Sequence, residues 1–144
     1  DSLETVLRKC LAIKENETPR ILHVEDDPDV RVVVQKILQD SVEIVRAESL
    51  AAARGILTGP DRAFDLILLD LALGDGRGED LLADLNAETG TNIPVVVFSA
   101  NDLESSAAME KISDILQKSR ASNDDLSASV MAAILRNQRS QANL

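Results

Sequence analysis

The chain has 144 residues, the size of one domain, with 44% hydrophobic and 28% charged residues and no apolar run long enough to span a bilayer, which excludes a membrane-embedded role. Fifteen basic residues against 25 acidic ones leave a net charge of -10, which repels nucleic-acid backbones and anionic membrane surfaces and suits a bound cation or a basic protein partner. The single Cys10 permits no internal disulfide, and two Phe with no Tyr or Trp offer no stacking platform for single strands, so the chain reads as cytoplasmic, touching neither nucleic acid nor membrane.

Leu3, Val6, Leu7, Cys10 and Leu11 fall at helical spacing, and the polar run from Lys14 to Thr18 ahead of Pro19 ends that helix. Residues 1–19 form an extension with two readings, a dimerising segment giving a homodimer and, preferred, the remnant of an upstream domain. From Arg20 the pattern alternates. Ile21 to Val24 is a strand, and Val30, Val33, Val34, Ile37 and Leu38 mark one face of the helix after it, with Asp27 ahead of Pro28 as its cap. Val42 to Val45 is a second strand, Ser49 caps a helix carrying Leu50, Ala53 and Leu57, and Gly59-Pro60 breaks it. Phe64 to Leu69 is a continuous apolar run, as in a strand covered on both faces, and Leu81, Leu82 and Leu85 mark the next helix. Ile93 to Phe98 is another such run. A short polar helix near residues 103–109, a weak strand around Ile115 and Leu116, and a helix with Leu126, Val130, Ala133 and Ile134 complete a domain over residues 20–136, and the polar residues 137–144 form a tail. Five strands alternating with helices predict an α/β fold, a parallel sheet with right-handed crossovers.

In an open parallel sheet, ligands bind outside the carboxyl ends of the strands. Glu25, Asp26 and Asp27 stand at that end of the first strand, Asp70 at the third, Ser99 at the fourth and Lys118 at the fifth. Strand order 2-1-3-4-5 brings these groups to one rim. Carboxylates gathered there repel each other by about 4 kcal/mol per pair at 4 Å with an effective dielectric near 20, so a positive charge must compensate. Hard oxygen donors without His or Cys favour Mg²⁺, and Lys118 adds a fixed charge. The residues describe a metal-assisted anion site with Asp70 as a carboxylate nucleophile and Ser99 as a hydroxyl for the transferred group. Taken alone, the Glu25 to Asp27 cluster reads equally well as a solvated strand end with a helix cap. His23, the only His, lies mid-strand and reads as a packing residue.

Ile-Leu-His-Val-Glu-Asp-Asp-Pro, Asp-Leu-Ile-Leu-Leu-Asp-Leu-Ala-Leu, Val-Val-Val-Phe-Ser-Ala and Leu-Gln-Lys-Ser, in this order over residues 20–136, resemble the receiver domains of two-component response regulators. The resemblance implies a doubly wound, flavodoxin-like five-stranded sheet, here with an extra N-terminal helix. It implies that Asp70 is the phosphoacceptor, that Asp26 contacts Mg²⁺ directly and Glu25 through water, and that Asp70 and the backbone carbonyl of Ala72 are further metal ligands. Ser99 and Lys118 match the residues that contact the phosphoryl group, and Gly78 the glycine of the loop after the third strand. The implied donor is a phosphohistidine on a sensor histidine kinase or a phosphotransfer domain; the chain is expected to be either a single-domain regulator or the terminal receiver of a hybrid sensor kinase, and the start at Asp1 with a leading helix favours the latter.

The sequence departs from this pattern at several points. Ser119 stands where Pro usually follows the Lys, Ile115 where an aromatic usually reports phosphorylation, and Gly74 where the loop after the third strand often has Pro, a change expected to loosen that loop. Ala72, two residues past Asp70, has no side chain to orient water, so slow self-dephosphorylation is expected. Ala72 also stands where a haloacid-dehalogenase-like phosphohydrolase needs an acid/base Asp, which argues against turnover. A pseudo-receiver, an interaction module with an inactive site, is the main alternative.

Overall fold

The structure, a computed structural model, describes residues 18–60, 63–85, 93–100 and 112–142. The predicted helices at 3–13 and 103–109, and Cys10, lie outside them. The main sheet contains β1 (Arg20–Val24), β2 (Glu43–Ala47), β3 (Leu66–Leu69), β6 (Val95–Ser99) and β7 (Ile112–Gln117), all parallel, in the order β2-β1-β3-β6-β7. Counting these strands alone, this is the predicted 2-1-3-4-5 order. Between them run α1 (Pro28–Leu38), α2 (Leu50–Leu57) and α3 (Gly78–Asp84), and α4 (Asn123–Ala142) closes the chain.

The sheet is sandwiched because its central strands are apolar on both faces: every residue of β3 is buried. One face carries Leu22, Val24, Ile67, Leu69, Val95 and Val97 against the buried leucines of α2 and α3. The other carries Ile21, Leu66, Leu68 and Val96 against α1 and α4, where Leu126, Val130, Met131 and Ile134 are buried. Among the described residues, no helix is long and apolar enough to cross a membrane.

Caps fix the helix starts where the sequence places them. Asp27 accepts from the Asp29 amide at 2.9 Å with Pro28 beginning α1, and Ser49 Oγ accepts from the Ala52 amide at 3.0 Å at the start of α2. The predicted inward face of α1 is too wide. Val34 and Leu38 are buried with Val30 and Ile37 packed beside them, but Val33 is 51% exposed, because an eleven-residue helix meets the sheet through a narrow stripe and position 33 lies one step around from it. Phe64 lies outside the strand that its apolar run suggests. β3 begins at Leu66, and the Phe64 ring packs beneath the Arg20 guanidinium, 4.7 Å from the ring centroid.

Two further elements differ from expectation. β7 is six residues long although its sequence barely reads as a strand, since it pairs only with β6 and leaves Ser113, Asp114 and Ile115 exposed at the sheet edge. α4 continues past residue 136 to Ala142.

Candidate phosphoryl and metal site

All five parallel strands end at one rim, where Glu25, Asp70 and Lys118 directly follow β1, β3 and β7 and Ser99 closes β6. The Asp70 amide donates to the Val24 carbonyl at 3.0 Å, and the Lys118 amide to the Ser99 carbonyl at 3.1 Å, so the ladder itself sets the groups side by side. Five of the six predicted site residues meet there through side chains. Carboxylate oxygens of Glu25, Asp26 and Asp70 all lie within 4.8 Å of one another. Asp70 Oδ1 accepts from Ser99 Oγ at 2.7 Å and from the Ala72 amide at 3.3 Å, and Oδ2 lies 3.4 Å from Lys118 Nζ. The sixth, Ala72, meets Asp70 through its backbone N–H, a different group from the carbonyl expected as a metal ligand. Ser99 also accepts from the Leu71 amide at 3.4 Å, so one hydroxyl ties the end of β6 to the segment that follows β3.

Lys118 lies nearer to Glu25 than to Asp70: its Nζ is 2.6 Å from Glu25 Oε1. Glu25 and Asp70 are buried, Asp26 is exposed, and the Lys118 side chain is 21% exposed. Burial raises the Glu25 carboxyl to about 7, more than its ion pair with Lys118 can offset. Burial works to lower the Lys118 ammonium, but the Glu25 and Asp70 carboxylates outweigh it and hold it above its ordinary value. His23 sits buried in β1 behind this rim with no hydrogen-bond partner for Nδ1 among the described residues. Desolvation, reinforced by Lys118 and Arg31, pushes it down to about 4, so the ring is neutral at pH 7.

This donor set fits a hard divalent cation. Three carboxylates share one ammonium, and that ammonium leans to the Glu25 side, so Asp26 and the outer side of Asp70 carry charge that Lys118 does not cover. Oxygen donors with one exposed member leave room for the waters that Mg²⁺ retains. Glu25, Asp26 and Asp70 would hold it.

Two features of the rim escape sequence reading. Arg31 Nη1 donates to the Glu25 carbonyl at 3.2 Å and reaches Glu48 Oε2 at 3.4 Å, bridging the loops after β1 and β2. The segment after Asp70 is a small antiparallel hairpin, β4 (Ala72–Leu73) and β5 (Gly76–Arg77), with Ala72 facing Arg77 and Leu73 facing Gly76. Asp75 at its tip accepts from the Leu50 amide at 2.8 Å and the Ala51 amide at 3.0 Å, and these two bonds hold its carboxyl below the usual carboxylate range. The loop expected to be loosened by Gly74 is therefore fastened by its neighbour. Gly74-Asp75-Gly76 is a turn signal, but nothing in the sequence pairs Asp75 with a helix 25 residues earlier.

Residues 21–131 match the response regulator receiver domain family. The chain belongs to that family. The receiver domain is similar to the KDP operon transcriptional regulatory protein KdpE of Escherichia coli, with 38% identity over 86 residues that make up 59% of this chain and 36% of KdpE, so the chain spans about a third of that relative's length. Among solved structures it is similar to a sensor protein from Polaromonas sp. JS666, at 28% identity and TM-score 0.71 over 82% of this chain and 97% of the other. It is likewise similar to the signal receiver domain of a Vibrio parahaemolyticus protein described as a Luxo repressor, at 26% identity and TM-score 0.72 over 88% and 97%. The response regulator TrrA of Thermotoga maritima, solved in complex with Mg(2+)-BeF, shares the fold at 23% identity and TM-score 0.68 over 80% and 98%.

Proposed function

We propose that this receiver domain accepts a phosphoryl group onto Asp70 from a phosphohistidine on a sensor histidine kinase or phosphotransfer domain, in the cytoplasm, and that the acyl phosphate changes a protein-interaction surface. The observation that carries the reading is the Asp70 carboxylate, held by Ser99, Lys118 and the Ala72 amide inside a cluster of acids. An Asp70 oxygen attacks phosphorus as the P–N bond of the donor breaks, and the electron pair of that bond returns to the imidazole nitrogen. Mg²⁺, when bound by Glu25, Asp26, Asp70 and the Ala72 carbonyl, neutralises charge on the phosphoryl oxygens. Ser99 exchanges its bond to Asp70 for one to the new phosphate, and Lys118 leaves Glu25 to pair with it.

Intact mass after incubation with acetyl phosphate or phosphoramidate tests the reading. One phosphoryl increment is expected, dependent on Mg²⁺ and absent in Asp70→Asn. Its decay is expected to be slow and to quicken in Ala72→Asn, because Ala72 is exposed beside Asp70 without a polar side chain to orient water. A folded, Mg²⁺-binding protein that gains no mass would make this a pseudo-receiver.

A further inference from the structure

The hairpin after Asp70 has two residues in each strand, too little pairing to hold itself. Its position nevertheless bears directly on the site. Ala72, its first residue, donates to Asp70 Oδ1, and a Cβ on Gly74 at its turn would lie 3.7 Å from Asp26 Oδ2. Leu71 and Leu73 bury one side of it against the α2 and α3 face of the sheet. The turn is fastened through Asp75. Its two carboxylate oxygens take the first two amides of α2, while Ser49 takes the Ala52 amide, so the start of that helix is completed by a residue from the phosphoryl-site loop.

We propose that Asp75 is a positioning residue for the site: by clasping the hairpin to α2 it holds Ala72 against the Asp70 carboxylate and so sets the strength of cation binding. This rests on the reading of the rim as a Mg²⁺ site. A helix cap alone would leave the site indifferent to Asp75, and a purely electrostatic role would depend on its charge and not on its hydrogen bonds. The three cases separate experimentally. Ser49→Ala removes a cap of the same helix without touching the hairpin.

The experiment is calorimetric titration of the full chain with MgCl₂, well below the onset of unfolding, for wild type, Asp75→Ala, Asp75→Asn and Ser49→Ala, beside amide hydrogen exchange at Ala72. Loss of a partner that orients a ligand group typically weakens metal binding, so Asp75→Ala is expected to bind Mg²⁺ roughly 10-fold more weakly and to exchange its Ala72 amide faster. Asp75→Asn, which keeps one acceptor oxygen for an α2 amide, is expected to lose less. Ser49→Ala is expected to melt earlier with unchanged Mg²⁺ affinity. Unchanged affinity in Asp75→Ala would overturn the proposal in favour of a cap, and equal losses in Ala and Asn variants would overturn it in favour of charge. Wild-type protein that binds no Mg²⁺ would sink the reading of the rim itself, and unaltered exchange at Ala72 in Asp75→Ala would then overturn the clasp independently.

Discussion

Lys118→Met is expected to destabilise the metal-free protein by about 2–3 kcal/mol at pH 8, toward the low end for breaking a buried ion pair because the Lys118 side chain retains 21% exposure. The substitution keeps the length of the side chain and deletes the ammonium, leaving Glu25 and Asp70 facing each other in a buried rim without their shared counter-charge. Glu25 has one escape, which is to take up a proton. Its carboxyl is raised from 4.5 to about 7 in the wild type, so its neutral form favours the fold: that contribution is fully present below pH 4.5 and is lost as pH rises through 7. Lys118 supplies the influences that lower Glu25, and deleting it moves the window upward. The cost of Lys118→Met should therefore shrink as pH falls from 8 toward 5. Urea unfolding at several pH values measures it, and a penalty that is constant with pH would show that the ammonium matters for packing alone. Added Mg²⁺ should stabilise the variant more than the wild type, since the cation then meets carboxylates with no ammonium competing for them.

The geometry behind that prediction was only partly written in the sequence. Glu25, Asp70 and Ser99 were legible because each stands where an apolar run stops, and a parallel sheet delivers such ends to one rim whatever the loops do. Burial, by contrast, depends on what packs over a residue. Val33 has the same side chain as Val34, yet only Val34 faces the sheet. β7 gave a faint signal because an edge strand needs just one apolar side. Asp75 was invisible for a different reason: its partners are backbone amides of a distant helix, and backbone groups leave no residue type to read. The preference of Lys118 for Glu25 is a matter of fractions of an ångström between two acids of the same charge, which sequence spacing does not resolve.

Gly78→Ala is expected to cost about 3 kcal/mol or more, at the upper end of what overpacking does in a core, and to remove phosphoryl uptake with it. A Cβ on Gly78 would overlap the Asp70 carbonyl oxygen and stand 3.0 Å from the Leu71 Cα. Both obstacles are backbone, so no side chain can swing aside, and the Gly78 amide already donates to the Leu71 carbonyl at 2.9 Å, which closes the base of the hairpin. The only relief is to push α3 away from the strand end or to displace the peptide that carries Asp70, and either disturbs the bonds from Ser99 and the Ala72 amide. Two neighbouring glycines provide the contrast. A Cβ on Gly76 would meet Leu50 Cδ2 at 2.8 Å, the far end of a side chain that can move, and one on Gly74 would meet only Asp26 Oδ2 at 3.7 Å. Gly74 lies outside the left-handed region, so Gly74→Ala should be neutral or stabilise by about 0.4–1 kcal/mol through the unfolded chain. Denaturant unfolding of the three alanine variants, with intact mass after acetyl phosphate, separates the cases. If Gly78→Ala matched Gly74→Ala in stability and uptake, the close approach of α3 to Asp70 would not be what holds the phosphoryl site in place.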